Sequence, residues 1–97
     1  DAFAFLGFLP EKKGRQTALQ QLTLREETFI LYESPHRLLK TLGQLAEFLG
    51  AERKASVSRE LTKMFEETVN GTLQDIMDHF NQHTIKGEFV IVVHGKE

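Results

Sequence analysis

Close to the end of the chain stand five consecutive apolar residues, Phe89-Val90-Ile91-Val92-Val93, four of them β-branched. A strand with one wet face alternates apolar and polar side chains, and this run does not alternate, which is how a strand covered on both faces reads. The last strand in sequence is therefore expected at the centre of a sheet, with helices covering both faces. Everything upstream must supply its neighbours and its cover.

The upstream pattern does so. Ala2 to Leu6 alternates small and large residues as a first strand, ended by Gly7 and then Pro10. Ala18, Leu19 and Leu22 give a helical face over about residues 15–26, and a second strand is expected at about 28–33. Leu38, Leu42, Leu45 and Leu49 fall at i, i+4, i+7 and i+11 on one helical stripe, which Gly50 stops. Ala55 and Val57 alternate with polar residues in a third strand, and Thr68-Val69 makes a short fourth, closed by Asn70-Gly71. Thr72 with Asp75 reads as a capped helix start, followed by the apolar face Leu73, Ile76, Met77 and Phe80. The order β-α-β-α-β-β-α-β predicts an α/β domain with a mixed five-stranded sheet, parallel across the βαβ units and antiparallel at the β-β connection around residues 59–66.

Composition sets bounds on function. A chain of 97 residues makes one domain, expected over 1–97, that buries roughly 65% of the surface its unfolded form exposes. It has no apolar run of the ~18 residues a membrane span needs and no charged-then-apolar leader, so no membrane contact and a cytoplasmic location are expected. Zero cysteine excludes disulfides, thiol chemistry and cysteine-ligated zinc. The net charge of -2 is uneven: residues 1–63 hold ten Lys/Arg against eight Asp/Glu, and residues 64–97 hold two against six. An anionic partner would meet the first part. With no initiator Met and strand-like residues close to both termini, the sequence reads as a piece of a longer chain.

Two polar clusters follow predicted strands, where α/β folds place ligands. In Tyr32-Glu33-Ser34-Pro35-His36-Arg37 the strand stops abruptly, and Ser34 reads as an N-cap with Pro35 at the first helical position. Both a structural cap and a ligand site fit that pattern. Arg59-Glu60-Leu61-Thr62-Lys63, followed by Glu66-Glu67, is the second cluster and fits either a self-paired surface loop or a site. Lys12-Lys13-Gly14-Arg15 is a basic loop, either solvated or in contact with phosphates. His79 and His83 stand at i, i+4 but lack the glutamate and third ligand of a zinc motif, so no metal is expected. Gly-x-Gly-x-x-Gly, Walker and Gly-x-Ser-x-Gly motifs are absent, so any nucleotide-like cofactor finds only part of its site here.

Taken in order, Phe5-Leu6-Gly7-Phe8-Leu9-Pro10 with Lys13 and Arg15, then Tyr32-Glu33-Ser34-Pro35-His36-Arg37-Leu38, Arg59-Glu60-Leu61-Thr62-Lys63 with Phe65-Glu66-Glu67, Gly71-Thr72-Leu73 and Gly87-Glu88-Phe89-Val90 resemble the ribosomal RNA small subunit methyltransferase I family, a branch of the tetrapyrrole methylases. The resemblance spans nearly the whole chain. It implies the C-terminal half of a two-domain enzyme, lacking the family's N-terminal domain, that binds S-adenosylmethionine between its halves and methylates the ribose 2′-hydroxyl of a cytidine in 16S ribosomal RNA.

By position, the resemblance places Tyr32, Glu33, Ser58, Arg59, Glu60, Gly87, Glu88 and Phe89 at the cofactor, largely through backbone groups. Lys12, Lys13, Arg15, His36, Arg37 and Lys63 become the candidates for RNA phosphate contacts. It assigns no general base, and the fragment alone is expected to be inactive. Expected partners are small-subunit ribosomal RNA, the N-terminal domain of the same protein and a second copy in a homodimer. The alternatives are a tetrapyrrole methyltransferase and a stand-alone α/β module that binds RNA or a small effector.

Overall fold

The structure, a computed structural model, describes residues 3–61 and 64–96. Its elements are β1 (Phe3–Phe8), α1 (Arg15–Leu22), β2 (Thr28–Glu33), α2 (Leu38–Leu49), β3 (Lys54–Leu61), β4 (Met64–Thr72), α3 (Leu73–Asn81) and β5 (Glu88–Val93). They form a five-stranded sheet in the order β1-β2-β5-β3-β4, with the last strand central as expected. β1 pairs parallel with β2, and β5 runs antiparallel to both β2 and β3. β3 and β4 form an antiparallel hairpin that pairs from Lys54↔Thr72 to Leu61↔Met64. The fourth strand is thus longer than the short Thr68-Val69 segment expected, because pairing with β3 holds polar residues that no local signal marks as strand.

One face of the sheet carries the core. Phe29 and Leu31 of β2, Phe89, Ile91 and Val93 of β5, and Ala55 and Val57 of β3 are buried in one cluster with Leu19 and Leu22 of α1, Leu38, Leu42 and Leu45 of α2, and Leu73, Ile76 and Phe80 of α3. Burying the three α2 leucines supplies about 5–9 kcal/mol as an upper bound. α3 starts at a capping box: Thr72 Oγ1 accepts from the Asp75 N–H at 3.0 Å, and Asp75 Oδ2 accepts from the Thr72 N–H at 3.1 Å.

All three helices share that face, which corrects the expectation of helices on both. The reason lies in the alternate residues. Ile30, Val90 and Val92 are only half-buried and Tyr32 is exposed, so among the described residues the second apolar face of β5 has no helical cover. β1 adds to it through a bulge: Phe5 pairs with Ile30, Gly7 with Leu31 and Phe8 with Tyr32, leaving Leu6 as the extra residue. Gly7 sits at φ 72, and the bulge resets the alternation so that Phe3, Phe5 and Phe8 all lie on the open face, 62%, 60% and 61% exposed. Gly7 therefore bends the first strand rather than ending it. Exposed apolar sheet of this kind promotes association, so the isolated chain is expected to self-associate in sedimentation at about 100 µM, and Phe5→Ser to weaken that association. A monomeric wild type under those conditions would contradict the expectation.

Candidate functional site

The carboxyl ends of β1, β2 and β3 and the start of β5 meet at one end of the sheet. Register fixes who meets whom: Tyr32, Val90 and Ser58 lie in one row, Glu33, Phe89 and Arg59 in the next, and Glu60 opposite Glu88. Phe8, Tyr32, Glu60, Glu88, Phe89 and Val90 line a concavity of about 230 Å³ there. Seven of the residues expected at a cofactor are therefore neighbours, and Gly87, at φ 89, leads the chain into β5 beside them. Alternation splits the seven between the faces, with Tyr32, Ser58, Glu60 and Glu88 on the open face and Glu33, Arg59 and Phe89 on the helical one. Phe8 and Val90 belong to the same concavity and were missed, because neither carries a polar signal. A second concavity of about 260 Å³, lined by Glu52, Arg53, Lys54, Gly95 and Lys96 at the other end of β3, contains none of the expected residues.

Aromatic rings gather on the open side of the concavity. Tyr32 meets Phe5 edge-on with ring centroids 5.2 Å apart and Phe8 at 5.5 Å. Glu60 and Glu88 are directly opposed like charges on paired strands, a destabilising arrangement that a cation nearby would relieve.

On the helical side, the end of β2 is held by a buried polar network. The Glu33 side chain, 4% exposed, accepts from the Ser34 N–H at 2.8 Å through Oε1 and from the Thr41 hydroxyl at 2.6 Å through Oε2. Thr41 Oγ1 in turn accepts from Arg15 at 2.7 Å. The remaining Arg15 guanidinium nitrogens donate to Gln44 Oε1 at 2.8 Å and to the Pro10 carbonyl at 2.9 Å. Arg37 completes the ring, with Nε 3.7 Å from Glu33 Oε1 and a 2.8 Å ion pair to Glu11. Burying charges in this way is tolerated only because they are paired and hydrogen-bonded.

Two readings from sequence are overturned here. Arg15, expected to contact RNA phosphates, is 5% exposed with each guanidinium nitrogen committed inside the protein, so it is a strut within the fold. Ser34 does not cap α2: that helix begins at Leu38 after a turn in which the Arg37 N–H bonds the Ser34 carbonyl, and the enclosed Ser34 Oγ makes no hydrogen bond. Pro35 shapes the turn instead of opening the helix. Among the other candidates, Lys12, Lys13 and His36 are exposed, Arg37 is tied to Glu11 beside them, and Lys63 lies outside the described residues. Thr41 and Gln44 were missed as site supports. Thr41 stands inside the leucine stripe of α2, and a polar residue on an apolar stripe was the signal that marked it.

Arg59 points to the helical face and lies 3.6 Å from Glu67, whose other oxygen is 3.0 Å from His79 Nε2. His83 stacks on His79, but no group of three metal-ligating side chains occurs among the described residues. Nor is any described helix long and apolar enough to cross a membrane.

Known proteins resemble the chain along its whole length. A Synechocystis protein named ribosomal RNA small subunit methyltransferase I is 52% identical over 96 residues, which is 98% of this chain and 34% of that protein. Its namesake from Bacillus subtilis is 47% identical over 94 residues, covering 96% of this chain and 32% of the relative. The chain thus spans about a third of the length of these relatives. Among solved structures, a cobalamin biosynthetic enzyme, cobalt precorrin-4 methyltransferase, matches with a TM-score of 0.66 at 17% identity, covering 96% of this chain and 40% of that one; this shows a shared fold. No family model matches the chain.

Proposed function

Because this chain belongs to the ribosomal RNA small subunit methyltransferase I family, we propose that it is the C-terminal half of a cytoplasmic two-domain enzyme that transfers a methyl group from S-adenosylmethionine to the ribose 2′-hydroxyl of a cytidine in 16S ribosomal RNA. The observation that carries this reading is the strand-end concavity, where β1, β2, β3 and β5 bring together the residues the family resemblance assigns to the cofactor.

The residues fit that cofactor in part. A complete small-molecule site occupies about 300–1,000 Å³, and the concavity of about 230 Å³ falls below that range. It is one wall, and the preceding domain supplies the other. On this reading, backbone groups at Tyr32, Glu33 and Phe89 read the adenosine edge. Tyr32 and Phe8, with the opposed Glu60 and Glu88, suit the positive charge of a sulfonium.

S-Adenosylmethionine supplies an already activated methyl group. What remains for the protein is alignment of the ribose oxygen in line with that methyl and removal of the hydroxyl proton. This chain holds the cofactor wall rigid through the Glu33 network and presents Lys12, Lys13 and His36, with Arg37 beside them, toward the RNA backbone. The general base is assigned to the other domain.

Calorimetric titration of the full-length protein with S-adenosylmethionine is expected to give saturable binding, and methylated RNA is expected to become resistant to alkaline cleavage at one linkage, since the modified 2′-oxygen no longer attacks its phosphate. Absence of a heat signal sinks the cofactor assignment; methylation that leaves every linkage alkali-labile sinks the ribose.

A further inference from the structure

Thr41 lies on α2, outside every cluster that chemistry singles out, yet its hydroxyl sits at the centre of the buried network. It is 1% exposed, donates to Glu33 Oε2 at 2.6 Å and accepts from Arg15 at 2.7 Å. Through the other oxygen of Glu33 the same carboxylate holds the Ser34 N–H at 2.8 Å. Three segments are joined in this way: the start of α1 behind the basic loop, the first turn of α2, and the point where β2 leaves the sheet.

We propose that Thr41 is a positioning residue for the cofactor wall, setting the backbone of Tyr32, Glu33 and Ser34 through the Arg15–Thr41–Glu33 chain. The inference rests on the S-adenosylmethionine reading and deepens it. Glu33 then acts from behind the wall: its carboxylate is consumed by the protein on the helical face, and only its backbone is left for a ligand. A hydroxyl suits the place, because its single oxygen donates to the carboxylate and accepts from the guanidinium at once. Valine has nearly the same shape and does neither. It leaves one donor and one acceptor of charged groups buried without that partner.

In the full-length protein, Thr41→Val is expected to raise the Kd for S-adenosylmethionine about tenfold, whereas Thr41→Ser, which keeps the hydroxyl, stays within about twofold. S-Adenosylhomocysteine is expected to weaken by the same factor, since it shares the adenosine that the wall reads and lacks the sulfonium. A folded Thr41→Val protein with a lowered melting temperature and an unchanged Kd overturns the proposal, leaving Thr41 a purely structural residue. Loss of S-adenosylmethionine binding with S-adenosylhomocysteine binding intact overturns it as well. Should Thr41→Val fail to fold, Gln44→Met removes only the Arg15 Nε contact at a half-buried position and is expected to raise both dissociation constants about threefold; no change there overturns the proposal. A wild type that binds neither ligand would instead remove the cofactor reading itself, a distinguishable failure.

Discussion

Replacing Arg15 by methionine is expected to cost the domain about 3–5 kcal/mol, because three acceptors at the heart of the network, on Thr41, Gln44 and Pro10, lose a charged donor. Methionine fills most of the volume, so the loss would come from the Thr41, Gln44 and Pro10 oxygens left without a donor rather than from a cavity. Glu33 would keep the Ser34 N–H, the Thr41 hydroxyl and its 3.7 Å pairing with Arg37, while Thr41 would no longer be fixed from behind by the guanidinium. Small domains hold about 5–15 kcal/mol in all, so the variant would stand near its unfolding threshold at 37 °C. Urea unfolding checks this directly. Arg15→Lys is expected to recover only part of the loss, since one ammonium cannot reach Gln44, the Pro10 carbonyl and Thr41 in the fixed fork of a guanidinium. A methionine variant within about 1 kcal/mol of wild type by the same measure would show that the Arg15 hydrogen bonds contribute little net stability.

The second large effect concerns catalysis. Residues 1–97 alone are expected to transfer methyl groups to RNA at least about 10⁴-fold more slowly than the full-length protein, because holding two reactants in attack geometry accounts for an effective molarity of about 10⁵–10⁸ M in well-oriented cases. The strand-end wall is open: its concavity is lined on the outer side by the exposed rings of Phe8 and Tyr32, and among the described residues no helix covers the sheet face beyond them. Incubating the chain with radiolabelled S-adenosylmethionine and small-subunit RNA, beside the full-length protein at equal concentration, measures the ratio. Turnover by the fragment within tenfold of the intact enzyme would place the whole reaction centre in these residues.

How much of this was legible beforehand varies by element. The stripe Leu38, Leu42, Leu45, Leu49 and the box Thr72–Asp75 identified α2 and α3 because helix periodicity and capping are local properties of the chain. The centrality of β5 was legible from the same kind of pattern. The length of β4 was not, since its residues are held by pairing with β3. Ser34-Pro35 misled for an opposite reason: its local chemistry matches an N-cap, but the Glu33 side chain takes the Ser34 N–H and the backbone makes a further turn before the helix starts.

The sequence by itself determined the elements, their order, the mixed sheet with its last strand in the middle, and the segments that carry polar residues at strand ends. Those follow from periodicity, propensity and turn chemistry, which act between residues close in the chain. Only the tertiary structure decided that one face of β5 stays open, that the bulge at Leu6-Gly7 turns three phenylalanines onto it, and that Arg15 is a buried strut bonded to Thr41 on another helix. Each of those depends on which distant side chain reaches a given atom. A guanidinium reads alike in the sequence whether solvent or buried acceptors on another helix await it.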